Sequence, residues 1–103
     1  MKNQNRAKFR ESVFKRDNNK CVVCSEKAVD AHHLIERRLW KEPSEQGGYI
    51  VDNGVSLCSQ HHIDAEKNII LPKTLREYAG IKKIVLPLGF DETKEYNKWG
   101  KLI

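Results

Sequence analysis

The sequence predicts a small α+β domain, and three observations carry that prediction. At 103 residues the chain has room for one domain and little else. An amphipathic stretch near its start gives way to short β-branched runs separated by turn signals, and then to a second helical pattern. Only 39% of the residues are hydrophobic, so the core is thin, and domains of this size often need a metal or disulfides to fold.

The elements follow in order. Arg6 to Asp17 reads as an amphipathic helix with Phe9, Val13 and Phe14 on one stripe, ended by the turn-favouring Asp17-Asn18-Asn19. Cys21-Val22-Val23-Cys24 reads as a knuckle or tight hairpin. Val29 to Ile35 is a short apolar run, a strand and its end, with His32-His33 inside it. Glu36 to Gly48 is a polar loop containing Pro43 and Gly47-Gly48. Tyr49-Ile50-Val51 looks like a strand, Asp52-Asn53-Gly54 a turn, and Val55-Ser56-Leu57 a second strand. Ser59 to Asn68 turns helical and ends before Pro72. A helix from Thr74 to Tyr78 closed by Gly80, an Ile84-Val85-Leu86 segment and a Trp-bearing end make up the tail.

The cysteines point to a metal. Three of them cannot all pair, no secretory pattern precedes them, and no apolar run reaches transmembrane length. A reducing intracellular setting is therefore expected, with thiolates as ligands and no membrane partner. Cys21-x-x-Cys24 and Cys58-x-x-His61 are two half-sites, each able to bite one tetrahedral Zn²⁺ from a turn. Ordinary buried thiols at chance spacing are the plainer alternative. A structural zinc would add its binding free energy to folding. That assignment leaves His32, His33 and His62 over, a second imidazole group left open.

Asp30-Ala31-His32-His33-Leu34, Asp52-Asn53-Gly54-Val55-Ser56-Leu57-Cys58 and His61-His62, in that order, resemble the HNH endonuclease family. The likeness covers about residues 6 to 67 and leaves about 68 to 103 as a C-terminal extension of a single domain. It implies a zinc-stabilised ββα-metal (His-Me finger) fold with an N-terminal helix. It also implies hydrolysis of DNA phosphodiester bonds to 5′-phosphate and 3′-hydroxyl ends. His33 takes the place of the general base, Asn53 that of the residue bracing its loop, and His32 and His62 those of the ligands of one catalytic divalent cation. If His32 were the base instead, the ligand position would hold Ala31, which cannot bind a metal.

The chain departs from the family at two places. His61 stands where many members have a fourth cysteine, and Glu66 where many have a further histidine. Glu66 shares a helix face with His62 and has three readings: a third ligand, a carboxylate orienting His62, or a solvated partner of a lysine. Imidazole ligands suit Zn²⁺, Ni²⁺ or Mn²⁺, and Mg²⁺ commonly keeps its waters, so all four are candidates.

A net charge of +5 favours a polyanionic partner. Arg37, Arg38 and Lys41 are the first candidates to grip phosphates, with Trp40 read as core; Arg10, Lys15 and Arg16 form a second candidate surface. RNA in place of DNA is open, and so is a zinc-stabilised binding module without activity, though such a module has no need of His33, Asn53 and His62 together. Cutting both strands with one small site would call for a homodimer or an accessory protein.

Overall fold

In the computed structural model, which describes residues 2–103 and side chains from Arg6 onward, the chain opens with helix α1 (Lys2–Arg16). Phe9 and Val13, one turn apart, are its buried face, whereas Phe14 is half-buried and carries the Arg10 guanidinium 4.6 Å above its ring. Asn18 and Asn19 end the helix at φ values of 57° and 60°, a conformation asparagine tolerates better than most residues.

Two strands follow, β1 (Asp30–His33) and β2 (Gly54–Leu57), paired antiparallel with Asp30 opposite Leu57 and His33 opposite Gly54. β2 is buried along its whole length, between α1 and the core of Cys21, Leu34, Leu57, Ala65 and Leu75. Gly54 lets the helix lie this close, because a Cβ there would meet Phe9 Cζ at 2.5 Å and Val13 Cγ2 at 2.7 Å. Arg16 locks the layers together. Its guanidinium grips Asp17 at 2.8 and 2.9 Å and donates to the carbonyls of Val51 and Gly54 at 3.0 and 2.7 Å. Arg16 is thereby committed inside the fold, contrary to its reading as part of a phosphate-facing surface.

Helix α2 (Ser59–Glu66) starts directly after β2 and Cys58, and helix α3 (Pro72–Ala79) closes on Gly80 at φ 72°. The fold is thus α+β with a two-stranded sheet. The third strand-like run, Tyr49 to Val51, is not a strand. Val51–Asn53 is a 3-10 turn, stapled by Asn53 N–H to the Ile50 carbonyl at 2.8 Å. Gly47 and Gly48, at φ 63° and 73°, turn the backbone so that Tyr49 sets its ring edge-on against Phe9. The polar loop contains two further 3-10 turns, Arg37–Leu39 and Pro43–Gly48, and Ile84 to Leu86 forms no strand. Trp40 is buried as expected, donating Nε1–H to the Ile35 carbonyl at 3.2 Å. No helix among the described residues is long and apolar enough to cross a membrane.

The tail folds back over the start of the loop: Glu36 N–H donates to the Lys98 carbonyl at 2.9 Å. That return brings a residue of the C-terminal extension to the end of β1.

Candidate functional site

Cys21, Cys24, Cys58 and His61 converge, each offering one ligand atom within 4.8 Å of the others. The Cys24 and Cys58 sulfurs are 3.8 Å apart, and His61 Nδ1 lies 3.6 Å from Cys21 Sγ and 3.3 Å from Cys58 Sγ. A tetrahedral site with metal–sulfur bonds of about 2.3 Å and metal–nitrogen bonds of about 2.0–2.1 Å has ligand–ligand edges of about 3.5–3.8 Å. Two of these distances fall in that range and the third is 0.2 Å short of it, and 3.8 Å is far beyond a disulfide. Burial pushes the Cys21 thiol up, but backbone hydrogen bonds from Cys58, Cys24 and Val23 outweigh it and hold it below the usual range. At Cys24 a backbone hydrogen bond from Glu26 lowers the thiol, but desolvation and the neighbouring Cys21 and Cys58 outweigh it and hold it above the usual range. One thiolate is favoured and the next is opposed by its neighbours. Such a group suits a cation.

A second group draws on β1 and α2. His32 in β1 and His62 in α2 face each other with ring centroids 5.4 Å apart, and they form a three-donor set with Glu66. Asp30 and His32, two apart on a strand, share a face. Asp30 Oδ2 accordingly reaches His62 Nδ1 at 3.1 Å, which leaves His62 Nε2 toward Glu66 Oε1 at 3.5 Å. A carboxylate behind an imidazole fixes its tautomer and raises its basicity as a ligand. His32 is buried and its Nδ1 has no hydrogen-bond partner. A buried lone pair without a partner, beside an imidazole and a carboxylate, fits a metal ligand. Burial also holds the His32 pKa well below 6.5, helped by Lys98, His62 and His33, so the ring is neutral as a ligand must be.

His33 is the last residue of β1 rather than a member of the loop beyond it, and His32 lies wholly within the strand. Strand alternation sends the two rings to different neighbours. His33 stacks on Phe9 at 4.6 Å and meets Tyr49 edge-on at 5.0 Å. Because the sheet ends there, His32, His33, His62 and Glu66 still line one cleft of about 270 Å³. His33 Nε2 is enclosed without a hydrogen-bond partner. Burial, then Lys98, brings its pKa to about 4.

Asn53 is fully buried behind this strand end. Its Oδ1 accepts from Ile35 N–H at 3.1 Å, and its Nδ2 donates to the carbonyls of Ile35 and Gly48 at 3.3 and 3.1 Å. Its backbone carbonyl accepts from Leu34 N–H at 2.8 Å. The residues just after His33 are therefore tied down on both sides.

Of the basic residues singled out in the sequence, Arg37 and Arg10 line the cleft, joined by Arg6. Arg38 and Lys41 instead border another depression of about 580 Å³, which shares Arg37 and Tyr49 with the cleft as lining residues. Sequence reasoning missed Asp30, Tyr49 and Lys98 as members of the site. Asp30 had a signal in its two-residue spacing from His32. Lys98 had none: it comes from the tail, is 4% exposed, and donates Nζ–H to the His33 carbonyl at 3.1 Å. Glu66, in turn, is both a potential ligand and the partner of that lysine, with Oε2 3.4 Å from its Nζ.

Comparison with known proteins returned nothing: no family model, no curated protein and no solved structure matches the chain.

Proposed function

We propose that the chain is a metal-dependent endonuclease of the HNH type, hydrolysing phosphodiester bonds of DNA. The observation that carries the reading is the convergence of His32, His62 and Glu66 beside His33 in one arginine-flanked cleft, with a separate cluster of three cysteines and a histidine in the same small fold. In this reading Cys21, Cys24, Cys58 and His61 hold a structural Zn²⁺ that joins the knuckle to α2. His32, His62 and Glu66 hold a divalent cation, which would polarise the phosphoryl group and stabilise the leaving oxygen.

The remaining roles belong to the chain itself. His33, neutral at physiological pH, takes the proton of the attacking water through an unbonded ring nitrogen. Its basicity is low for that task. Burial is the main cause, and a phosphodiester seated beside Lys98, Arg37 and Arg6 would oppose the positive charges that add to it, raising the His33 pKa. Phe9 and Tyr49 hold the ring from two sides, and Asn53 holds the backbone that follows it. Arg37 is positioned for the cut phosphate, and Arg38 and Lys41 for phosphates beyond it.

The test is nicking of supercoiled plasmid by zinc-loaded protein across Mg²⁺, Mn²⁺, Ni²⁺ and Zn²⁺. Cleavage with at least one ion, abolished in His33→Ala with unchanged melting and DNA binding, is expected. Equal nicking by the variant would remove His33 from the chemistry.

A further inference from the structure

Lys98 is a buried cation at the centre of a site that is itself expected to take a cation. Its Nζ lies 3.1 Å from the His33 carbonyl, 3.4 Å from Glu66 Oε2 and 3.8 Å from Glu36 Oε2. It has little freedom to leave. Its backbone N–H donates to Asn68 Oδ1 at 2.9 Å, its carbonyl accepts from Glu36, and the turn after it is pinned by Asn97 Oδ1 on the N–H groups of Trp99 and Lys101. Glu66 is the shared element. One carboxylate oxygen faces His62 and the donor set, and the other faces the ammonium.

We propose that Lys98 is a resident counter-charge that opposes cation binding at His32, His62 and Glu66 until a phosphodiester occupies the cleft, so that metal and substrate bind cooperatively. The proposal rests on reading the cleft as a phosphodiester site. Two like charges serving one carboxylate in a part-buried cleft repel, and the weak local screening makes that repulsion count. A phosphate anion placed between them attracts both and removes the opposition. Because coupling is reciprocal, whatever the anion adds to cation affinity, the cation adds to anion affinity. Lys98 thereby acts as a positioning residue through Glu66, and the C-terminal extension is part of the site rather than a cover over it.

The experiment titrates zinc-loaded protein with Mn²⁺, an ion that prefers oxygen and nitrogen to the thiolate clamp, and counts free Mn²⁺ by electron paramagnetic resonance. It is run with and without a short phosphorothioate duplex that resists cleavage. In the unsubstituted protein the duplex should tighten Mn²⁺ binding by about tenfold, toward the low end of ordinary coupling. Lys98→Met should bind Mn²⁺ about tenfold more tightly without DNA and gain little from the duplex, while Lys98→Arg, which keeps the charge, should behave like the parent. Lys98→Gln serves in place of the Met variant if circular dichroism shows that one unfolded.

Unchanged or weaker Mn²⁺ binding by the neutral variant overturns the proposal, as does a Lys98→Arg protein that behaves like Lys98→Met. A duplex that binds without altering Mn²⁺ affinity overturns the coupling. A duplex that does not bind at all overturns the phosphodiester reading instead, and the comparison in free protein then still decides whether Lys98 opposes the cation.

Discussion

The Asp30 carboxylate stands 3.1 Å from Nδ1 of His62, across the gap between β1 and α2. The pair spans the two elements that supply His32 and Glu66, so Asp30 orients an imidazole toward donors it does not itself join. Losing such a carboxylate typically lowers metal affinity by about 10–100-fold. Asp30→Ala should show that loss in the Mn²⁺ titration. Its thermal stability should change little, because the Asp30 side chain is 46% exposed. Mn²⁺ affinity equal to the parent's would mean that His62 needs no such partner.

The cysteine and histidine cluster allows a clean stability test, because one candidate ligand is on the surface. Cys24 is exposed, so Cys24→Ser removes a ligand without opening the core, whereas Cys21 is buried in it. If the cluster holds a structural ion, Cys24→Ser should lose it and melt lower by about 10 °C or more, the equivalent of roughly 2 kcal/mol in a chain of this size. A chelator should lower the parent's melting temperature by a similar amount and leave the variant unmoved. A Cys24→Ser protein that melts with the parent would make the cluster a coincidence of packing.

The parts of the site that sequence reasoning reached are those encoded within a few residues. Cys21 and Cys24, Cys58 and His61, and His32 and His33 each declare themselves by spacing alone, and the turn at Asp52-Asn53-Gly54 leads into β2 where turn chemistry puts it. What escaped is set by distance along the chain. Lys98 meets the His33 carbonyl across a separation of 65 residues, and nothing in Asn97-Lys98-Trp99 marks that lysine as buried. Tyr49 was lost for a different reason. Tyr-Ile-Val has strand propensity, but the paired glycines before it and the aromatic contact with His33 decide its backbone. Arg16 looked like one more surface cation because the two bonds that commit it, to the carbonyls of Val51 and Gly54, cross 35 and 38 residues of chain.

The neutral histidines make stability pH-dependent in a definite direction. Folding, chiefly through burial and then Lys98, lowers the His33 pKa from 6.5 to about 4, and burial lowers that of His32 as well. Below about pH 6.5 the unfolded chain therefore takes up protons that the folded protein refuses, and stability falls as the pH drops toward 4. The slope approaches about 1.4 kcal/mol per pH unit for each histidine fully inside the window. Acid also strips metal from thiolates, so the share of His33 is read as a difference. Urea unfolding of His33→Gln should lose less stability between pH 6.5 and 4 than the parent, with the clamp common to both. Parallel curves would show that His33 is charged in the folded state.

Asn53 separates the architecture of the strand end from its chemistry. Asn53→Ala leaves the Ile35 N–H and the Gly48 carbonyl without their partner in a region closed to water. One buried unsatisfied group costs about 1–3 kcal/mol, so the variant should lose at least about 2 kcal/mol of stability. Asn53→Asp keeps the acceptor for Ile35 N–H but turns a carboxylate toward the carbonyls of Ile35 and Gly48. It should be the less stable of the two at neutral pH and should recover as the pH falls, because a protonated carboxyl can donate again; its folded-state pKa is raised by burial beside acceptors. That trend opposes the one set by His33, so the two sources of pH dependence can be told apart in the same denaturation experiment. Should Asn53→Asp stay weak at every pH, or Asn53→Ala melt with the parent, the side chain would not be holding the backbone that follows His33.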